Sequence, residues 1–212
     1  DWRSQLGVPP MPHGPRGVFK GDELWAGCAA GDVNNDGWTD VFVPQIYNLS
    51  YARCRLFLNS DGRRLLDRAE LAGLPYINSY AGAWADIDGN GRLDLATAGQ
   101  VGVDQPSRLR LHRNEGGEEM INHLWIKLLL KPGDGRQTPL GSVVTVVQGD
   151  RRWVRQLTCG TSTYGQQNGP AMHFGLGTDD RDVTVEVRWP NGRKTKRQVA
   201  PASTVSLSMP KP

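Results

Sequence analysis

Short apolar runs separated by glycine, proline or acidic turns recur along the whole chain. Arg55-Leu-Phe-Leu-Asn59, Trp125-Ile-Lys-Leu-Leu-Leu130, Ser142-Val-Val-Thr-Val-Val147 and Val183-Thr-Val-Glu-Val-Arg-Trp189 each read as a strand. Their apolar residues return at alternate positions or fill brief stretches bounded by turn residues. The 26 Gly and 14 Pro are scattered among these runs, as many strands joined by tight turns require. The predicted class is all-β.

Superimposed on this pattern is an internal repeat. Gly31-Asp-Val-Asn-Asn-Asp-Gly-Trp-Thr-Asp40 returns as Ala85-Asp-Ile-Asp-Gly-Asn-Gly-Arg-Leu-Asp94, 54 residues later. Each copy runs into an apolar strand and then a second one, Arg55 to Asn59 and Arg108 to Asn114, closed by Asn and a Gly-containing turn. That period suits a β-propeller blade. Two blades cannot close a ring, and their open edges need covering. The repeat ends near Gly116-Gly-Glu-Glu119, and alternating strands of another pattern begin at Asn122. The expected organisation is an extended arm or remnant of an upstream blade over 1–20, repeats over 21–119 and a β-sandwich-like unit over 120–212.

The acidic turns carry the clearest chemistry. A hard divalent cation takes oxygen ligands from positions one, three, five, seven through a carbonyl, and nine of a tight loop. The first loop offers Asp32, Asn34, Asp36, the carbonyl of Trp38, and Asp40. The second offers Asp86, Asp88, Asn90, the carbonyl of Arg92, and Asp94. Gly37 and Gly91 stand at position six, where the turn needs a residue without Cβ. An EF-hand is excluded, because position twelve holds Val43 and Thr97 in strand-like runs. Two Ca2+ sites of structural role are expected. The bland alternative is a solvated turn whose Asp and Asn cap their own backbone.

These loops resemble the FG-GAP or VCBS repeats of integrin-type propellers. The C-terminal part resembles the ASPIC/UnbV domain through Leu140-Gly-Ser-Val-Val-Thr-Val146, Gly160-Thr-Ser-Thr-Tyr-Gly-Gln-Gln167, His173-Phe-Gly-Leu-Gly177 and Val185-Glu-Val-Arg-Trp-Pro-Asn-Gly192. The resemblance implies an exported protein of matrix, adhesion or surface assembly. Ser142 stands where that pattern has an Ala-type residue.

Two readings of the tail motifs follow. Phe174, Leu176 and Trp189 fill a core while glycines permit unusual dihedrals, or Tyr164, Gln166, Gln167 and His173 converge as a polar ligand patch. Trp84 and Trp125 fall in apolar strand patterns, whereas Trp25, Trp38 and Trp153 are surface candidates.

Charge and cysteine content add little. The excess of 25 Lys and Arg over 22 Asp and Glu forms no long run of one sign, so no nucleic-acid footprint is expected. No apolar stretch approaches the roughly 20 residues of a membrane span, Leu124 to Leu130 being interrupted by Lys127. Cys28, Cys54 and Cys159 fit no metal spacing, and a Cys28–Cys54 bridge stays open. Asn48-Leu-Ser50 fits a glycosylation acceptor, a pattern frequent by chance. Ser162 lies one residue off a nucleophile elbow, and His13, His112, His123 and His173 are too far apart for a zinc or base motif. With the export that the resemblance implies, a noncatalytic, secreted, periplasmic or surface-held binding module is expected, with a protein or glycan partner or further blades. The alternative is a biosynthetic or polysaccharide enzyme with its site between the two units.

Overall fold

The computed structural model describes residues 5–7, 24–25, 27–46, 54–74, 78–100, 106–133, 137–159 and 171–211. The N-terminal arm, apart from 5–7, and Asn48 to Ser50 lie outside the described residues. Strands dominate, as the alternation predicts. Among the described residues no helix is long and apolar enough to cross a membrane.

The repeat segment contains β1 (Leu24–Trp25), β2 (Ala29–Gly31), β3 (Asp40–Val43), β4 (Gln45–Ile46), β5 (Arg55–Ser60), β6 (Arg64–Asp67), β7 (Asn78–Ala85), β8 (Asp94–Gln100) and β9 (Arg108–His112). One antiparallel sheet runs β2-β3-β5-β6 and another β7-β8-β9, while β1 pairs with β4. The two sheets share their registers around the acidic loops. Gly31 faces Asp40 as Ala85 faces Asp94, and Val41 faces Phe57 as Leu95 faces His112. The sequence repeat is thus a repeat of strand pairing.

Packing between these sheets centres on Phe42 and Trp84, whose rings meet edge to face at 6.3 Å and 82°. Gly82 makes that approach possible, because a Cβ there would lie 2.5 Å from Phe42. Trp84 also donates its indole N–H to the Ala29 carbonyl at 3.0 Å. Leu56, Leu74, Leu93 and Leu95 complete this core. Cys54 is buried in it as a free thiol, and burial pushes its pKa up to about 11. Cys28 is exposed and also free.

The C-terminal part contains β10 (Leu124–Lys131), β11 (Val143–Gln148), β12 (Arg151–Gln156), β13 (Met172–Gly177), β14 (Val183–Arg188), β15 (Lys194–Val199) and β16 (Ser203–Ser208). They form sheets in the orders β13-β10-β16 and β12-β11-β14-β15, with β10 and β16 parallel. Both sheets contribute to one core. Ile126, Leu128, Phe174 and Leu176 come from the first, and Val144, Val146, Val183, Val185 and Val187 from the second. Alternation works as expected: Val144 faces Val187 and Val146 faces Val185, all turned inward.

β13 departs from alternation, since every one of its six residues is buried. Met172, Phe174 and Leu176 join the core. The opposite face, His173, Gly175 and Gly177, is covered by the first acidic loop, as contacts described below show. Gly175 is therefore small for close approach, not for an unusual dihedral; only Gly177 has a positive φ, at 67°.

Truncating Phe42, fully buried and in contact with Trp84, removes the packing between the two repeat sheets. Phe42→Ala is expected to lower the unfolding free energy by about 3–5 kcal/mol in a urea melt.

Candidate metal centre

The two acidic loops adopt the same hydrogen-bonded form. At position nine, Asp40 accepts from the amides of Val33 and Asn59, both at 2.8 Å. Asp94 accepts from Ile87 and Asn114, again both at 2.8 Å. At position one, Asp32 accepts from the Gly37 amide at 2.9 Å and Asp86 from the Gly91 amide at 3.2 Å. At position five, Asp36 accepts from the amide of Trp38 at 2.7 Å, and Asn90 from that of Arg92 at 2.8 Å. Gly37 and Gly91 have φ of 92° and 82°, the left-handed turn expected at position six. Position four is left-handed as well, with Asn35 at 58° and Gly89 at 76°.

Asn59 and Asn114, the residues that close each repeat, hold the loops from outside. Their side-chain oxygens accept from Gly62 and Gly116, both at 3.0 Å, and their amide groups donate to Thr39 and Leu93 carbonyls, both at 3.2 Å. Asn114 also reaches across to the Val33 carbonyl at 2.7 Å, tying the second sheet to the first loop. The repeated Asn was visible in the sequence, but its partners were not.

Donors for a hard cation are present in both loops. In the second, carboxylate oxygens of Asp86, Asp88 and Asp94 lie within 4.8 Å of one another. Asp32 and Asp86 each keep one buried oxygen, Oδ1, with no hydrogen-bond partner. A buried carboxylate oxygen without a donor is costly, and a divalent cation is a partner that suits it. The residues therefore fit calcium by donor chemistry.

Neither loop projects freely into solvent. Four consecutive main-chain carbonyls of the first are taken by C-terminal donors. His123 Nδ1 reaches Asn34 at 2.6 Å, the Gly177 amide Asn35 at 2.8 Å, Arg151 Asp36 at 2.7 Å, and the Trp153 indole Gly37 at 2.8 Å. Trp153 is thus a packing residue rather than the surface aromatic expected from sequence, whereas Trp38 is 43% exposed. A Cβ on Gly175 would lie 2.2 Å from Asp32 Oδ2 and 2.6 Å from Asn35 Cα. One on Gly91 would lie 1.8 Å from the Trp125 indole nitrogen, so Trp125 seats against the second loop.

Asn35 is the pivot between the loops and the tail. Its amide donates to the Gly91 carbonyl at 2.9 Å, leaving its oxygen to accept from His173 Nε2 at 2.7 Å. His173 is 4% exposed and stacked on Trp125 at 6.1 Å. Burial, with Arg155 nearby, lowers its pKa to about 3, so the ring is neutral. It faces the acidic loop rather than an open ligand patch. Tyr164, Gln166 and Gln167 lie outside the described residues, as does Ser162.

Sequence reasoning missed Asn35, Lys127, Arg151, Trp153 and Arg155 as partners of the loops. Only Trp125-x-Lys127 carried a signal, as an aromatic and a charge on a strand whose other face, Ile126, Leu128 and Leu130, is apolar. β12 alternates Arg151, Trp153 and Arg155 with the exposed Arg152, Val154 and Gln156 and gave none. A cavity of about 710 Å³ also opens in the repeat segment, walled by Leu56, Leu58, Leu74, Trp84, Leu93 and Leu95. Its lining residues run from Val33 to Met120, and of these only Met120 belongs to the 120–212 unit.

Residues 32–97 match the FG-GAP-like repeat family, and residues 133–211 match ASPIC and UnbV. The chain carries an FG-GAP-like repeat and an ASPIC/UnbV domain. It is 29% identical to cartilage acidic protein 1 of Homo sapiens over 174 residues, 80% of this chain and 25% of that protein. Identity to the Xenopus tropicalis protein of the same name is 30% over 180 residues, 81% of this chain and 26% of the relative. The chain spans about a quarter of the length of these relatives. In ASPIC/UnbV terms, the His173-to-Gly177 motif forms the strand that packs on the FG-GAP loop.

Gly175→Ala is expected to destabilise the protein by about 2–3 kcal/mol, measured by thermal melting, since backbone and a buried carboxylate must move. Burial, reinforced by neighbouring Asp36 and Asp40, raises Asp32 to about 7; Asp40 reaches about 7 by burial despite the amides it accepts. Between the ordinary value of 3.8 and about 7 the native state thus holds more protons than the unfolded chain. With divalent cations chelated, these groups should make stability fall as pH rises from about 4 to 7. Urea midpoints across that range check the sign.

Proposed function

We propose that this chain is a noncatalytic, calcium-stabilised binding or assembly module that works outside the cytoplasm, secreted, periplasmic or at a cell surface. The observation that carries the calcium reading is the pair of buried, unpartnered oxygens Asp32 Oδ1 and Asp86 Oδ1, one at the first position of each loop. Asp32, Asn34, Asp36, the Trp38 carbonyl and Asp40 would hold one ion. Asp86, Asp88, Asn90, the Arg92 carbonyl and Asp94 would hold the other. A bound ion supplies the charge that lets carboxylates share a dry site. Its role is structural, because the loops are the surface on which the ASPIC/UnbV segment rests.

The two separate cores support a division into repeats over 21–119 and a second unit over 120–212. The shared registers support a partial propeller, and the core common to both C-terminal sheets supports a sandwich. Export is supported by the relatives named cartilage acidic protein 1. A contact surface is supported by Leu109 and Leu111, 74% and 64% exposed on β9, the outer strand of its sheet among the described residues. Further blades, from upstream or another chain, or a protein or glycan partner would meet it there.

Adding calcium to chelator-stripped protein should raise the melting temperature, with about 2.7 kcal/mol gained per site at a hundredfold excess over Kd. Metal quantification should approach two ions per chain. Unchanged melting together with no retained metal would exclude the calcium role.

A further inference from the structure

The two loops differ in the charges that reach them. Lys127 projects from β10 on the same face as Trp125 and places Nζ 2.5 Å from Asp86 Oδ2. That pair is buried, with side chains 14% and 1% exposed. Arg113 lies 2.8 Å from Asp88 Oδ2 on the exposed side of the same loop. The second loop thus has a protein cation on two of its three carboxylates.

Among the described residues, no basic side chain pairs with a carboxylate of the first loop, Asp32, Asp36 or Asp40, and Arg151 reaches that loop at the Asp36 carbonyl. Arg155 acts on Asp32 through space, but its guanidinium donates to the His173 carbonyl. Asp36 accepts instead from the neutral side chain of Asn34 at 2.9 Å. Asp32 and Asp40 are each fully buried.

Geometry and charge point in opposite directions. The second loop has the tighter cluster of carboxylates, which taken alone would make it the better site. Converging carboxylates repel, however, and Lys127 and Arg113 are the charges that offset the repulsion. A divalent cation entering there meets two carboxylates already paired and two positive groups held nearby. In the first loop it meets two buried carboxylates with no ion-pair partner.

Resting on the calcium reading above, we infer that the sites are unequal: the first loop is the tight one, and Lys127, assisted by Arg113, weakens the second. The buried lysine acts as a built-in competitor that keeps the second loop docked on β10 whether or not the ion is bound. Lys127 is thereby an affinity-setting residue outside the loop.

Calcium titration of the stripped full chain by calorimetry tests this. Two steps separated by about tenfold or more are expected. Asp88→Asn should remove the weaker step and keep the tighter, and Asp36→Asn should weaken the tighter one. Lys127→Met should strengthen the weak step about tenfold. The same variant should melt lower than the parent in chelator and regain more on adding calcium, since Asp86 loses its partner. Arg113→Gln, an exposed change that spares the fold, should shift the weak step in the same direction by a smaller factor. Two equal steps, loss of the tight step in Asp88→Asn, or an unshifted weak step in Arg113→Gln would overturn the inference. Equal steps would leave the calcium reading standing; no calcium step in the parent chain would remove both.

Discussion

Everything in this chain depends on how an acidic loop can be buried. Asp32 is fully inaccessible, packed where Gly175 brings the β13 backbone against it. Burying a carboxylate is costly unless its oxygens find donors or a counter-ion. The chain meets that demand on one oxygen with the Gly37 amide and leaves the other free. Around this point Asn35 meets His173, and C-terminal donors take the four consecutive carbonyls of Asn34, Asn35, Asp36 and Gly37. The two cores lie on either side of this junction, which links them.

The two copies of the loop show how a repeat diverges without losing its form. The aspartates at positions one and nine and the glycine at position six serve the same backbone amides or turn in both copies. What differs is the surrounding charge and depth. The first loop is enclosed between sheets and tail, while the second keeps Ile87 at 54% exposure and Asp88 near solvent. Position four illustrates the change: Asn35 in the first loop bridges two neighbours, and Gly89 in the second touches nothing that a Cβ would meet. A left-handed conformation is needed at both, but a side chain is useful only where there is something to reach.

Local features were legible in the sequence because their causes are local. Alternation marked the inward valines of β11 and β14, and the spacing of Asp32 to Asp40 and Asp86 to Asp94 marked the turns, including the glycines with positive φ. Long-range features were not. Arg151 and Trp153 look like ordinary exposed residues on a strand, and only the fold brings them to carbonyls 115 and 116 residues away. The resemblance to ASPIC/UnbV pointed to His173-Phe-Gly-Leu-Gly177, yet the reason for its small residues is steric and lies in another part of the chain. His173, weighed as part of a ligand patch, is committed to Asn35 because β13 is covered on both faces. Lys127 was visible as the charge that interrupts an apolar run, but a strand pattern cannot name the carboxylate that such a charge will meet.

The first loop is gripped almost entirely by its main-chain carbonyls, with Asn35 the chief side-chain contact. Recognition of that kind reads the path of the backbone and is largely indifferent to residue identity. Positions such as Trp38 and Thr39 can therefore drift over evolutionary time without dissolving the junction, provided the turn keeps its shape, whereas Val33 is held by the core it packs into. Substitutions on the gripping strands have no such latitude, because a single added methyl at Gly175 collides with the loop. Variation among homologous chains should accordingly be lopsided, permissive at the loop tip and strict on the strand that faces it.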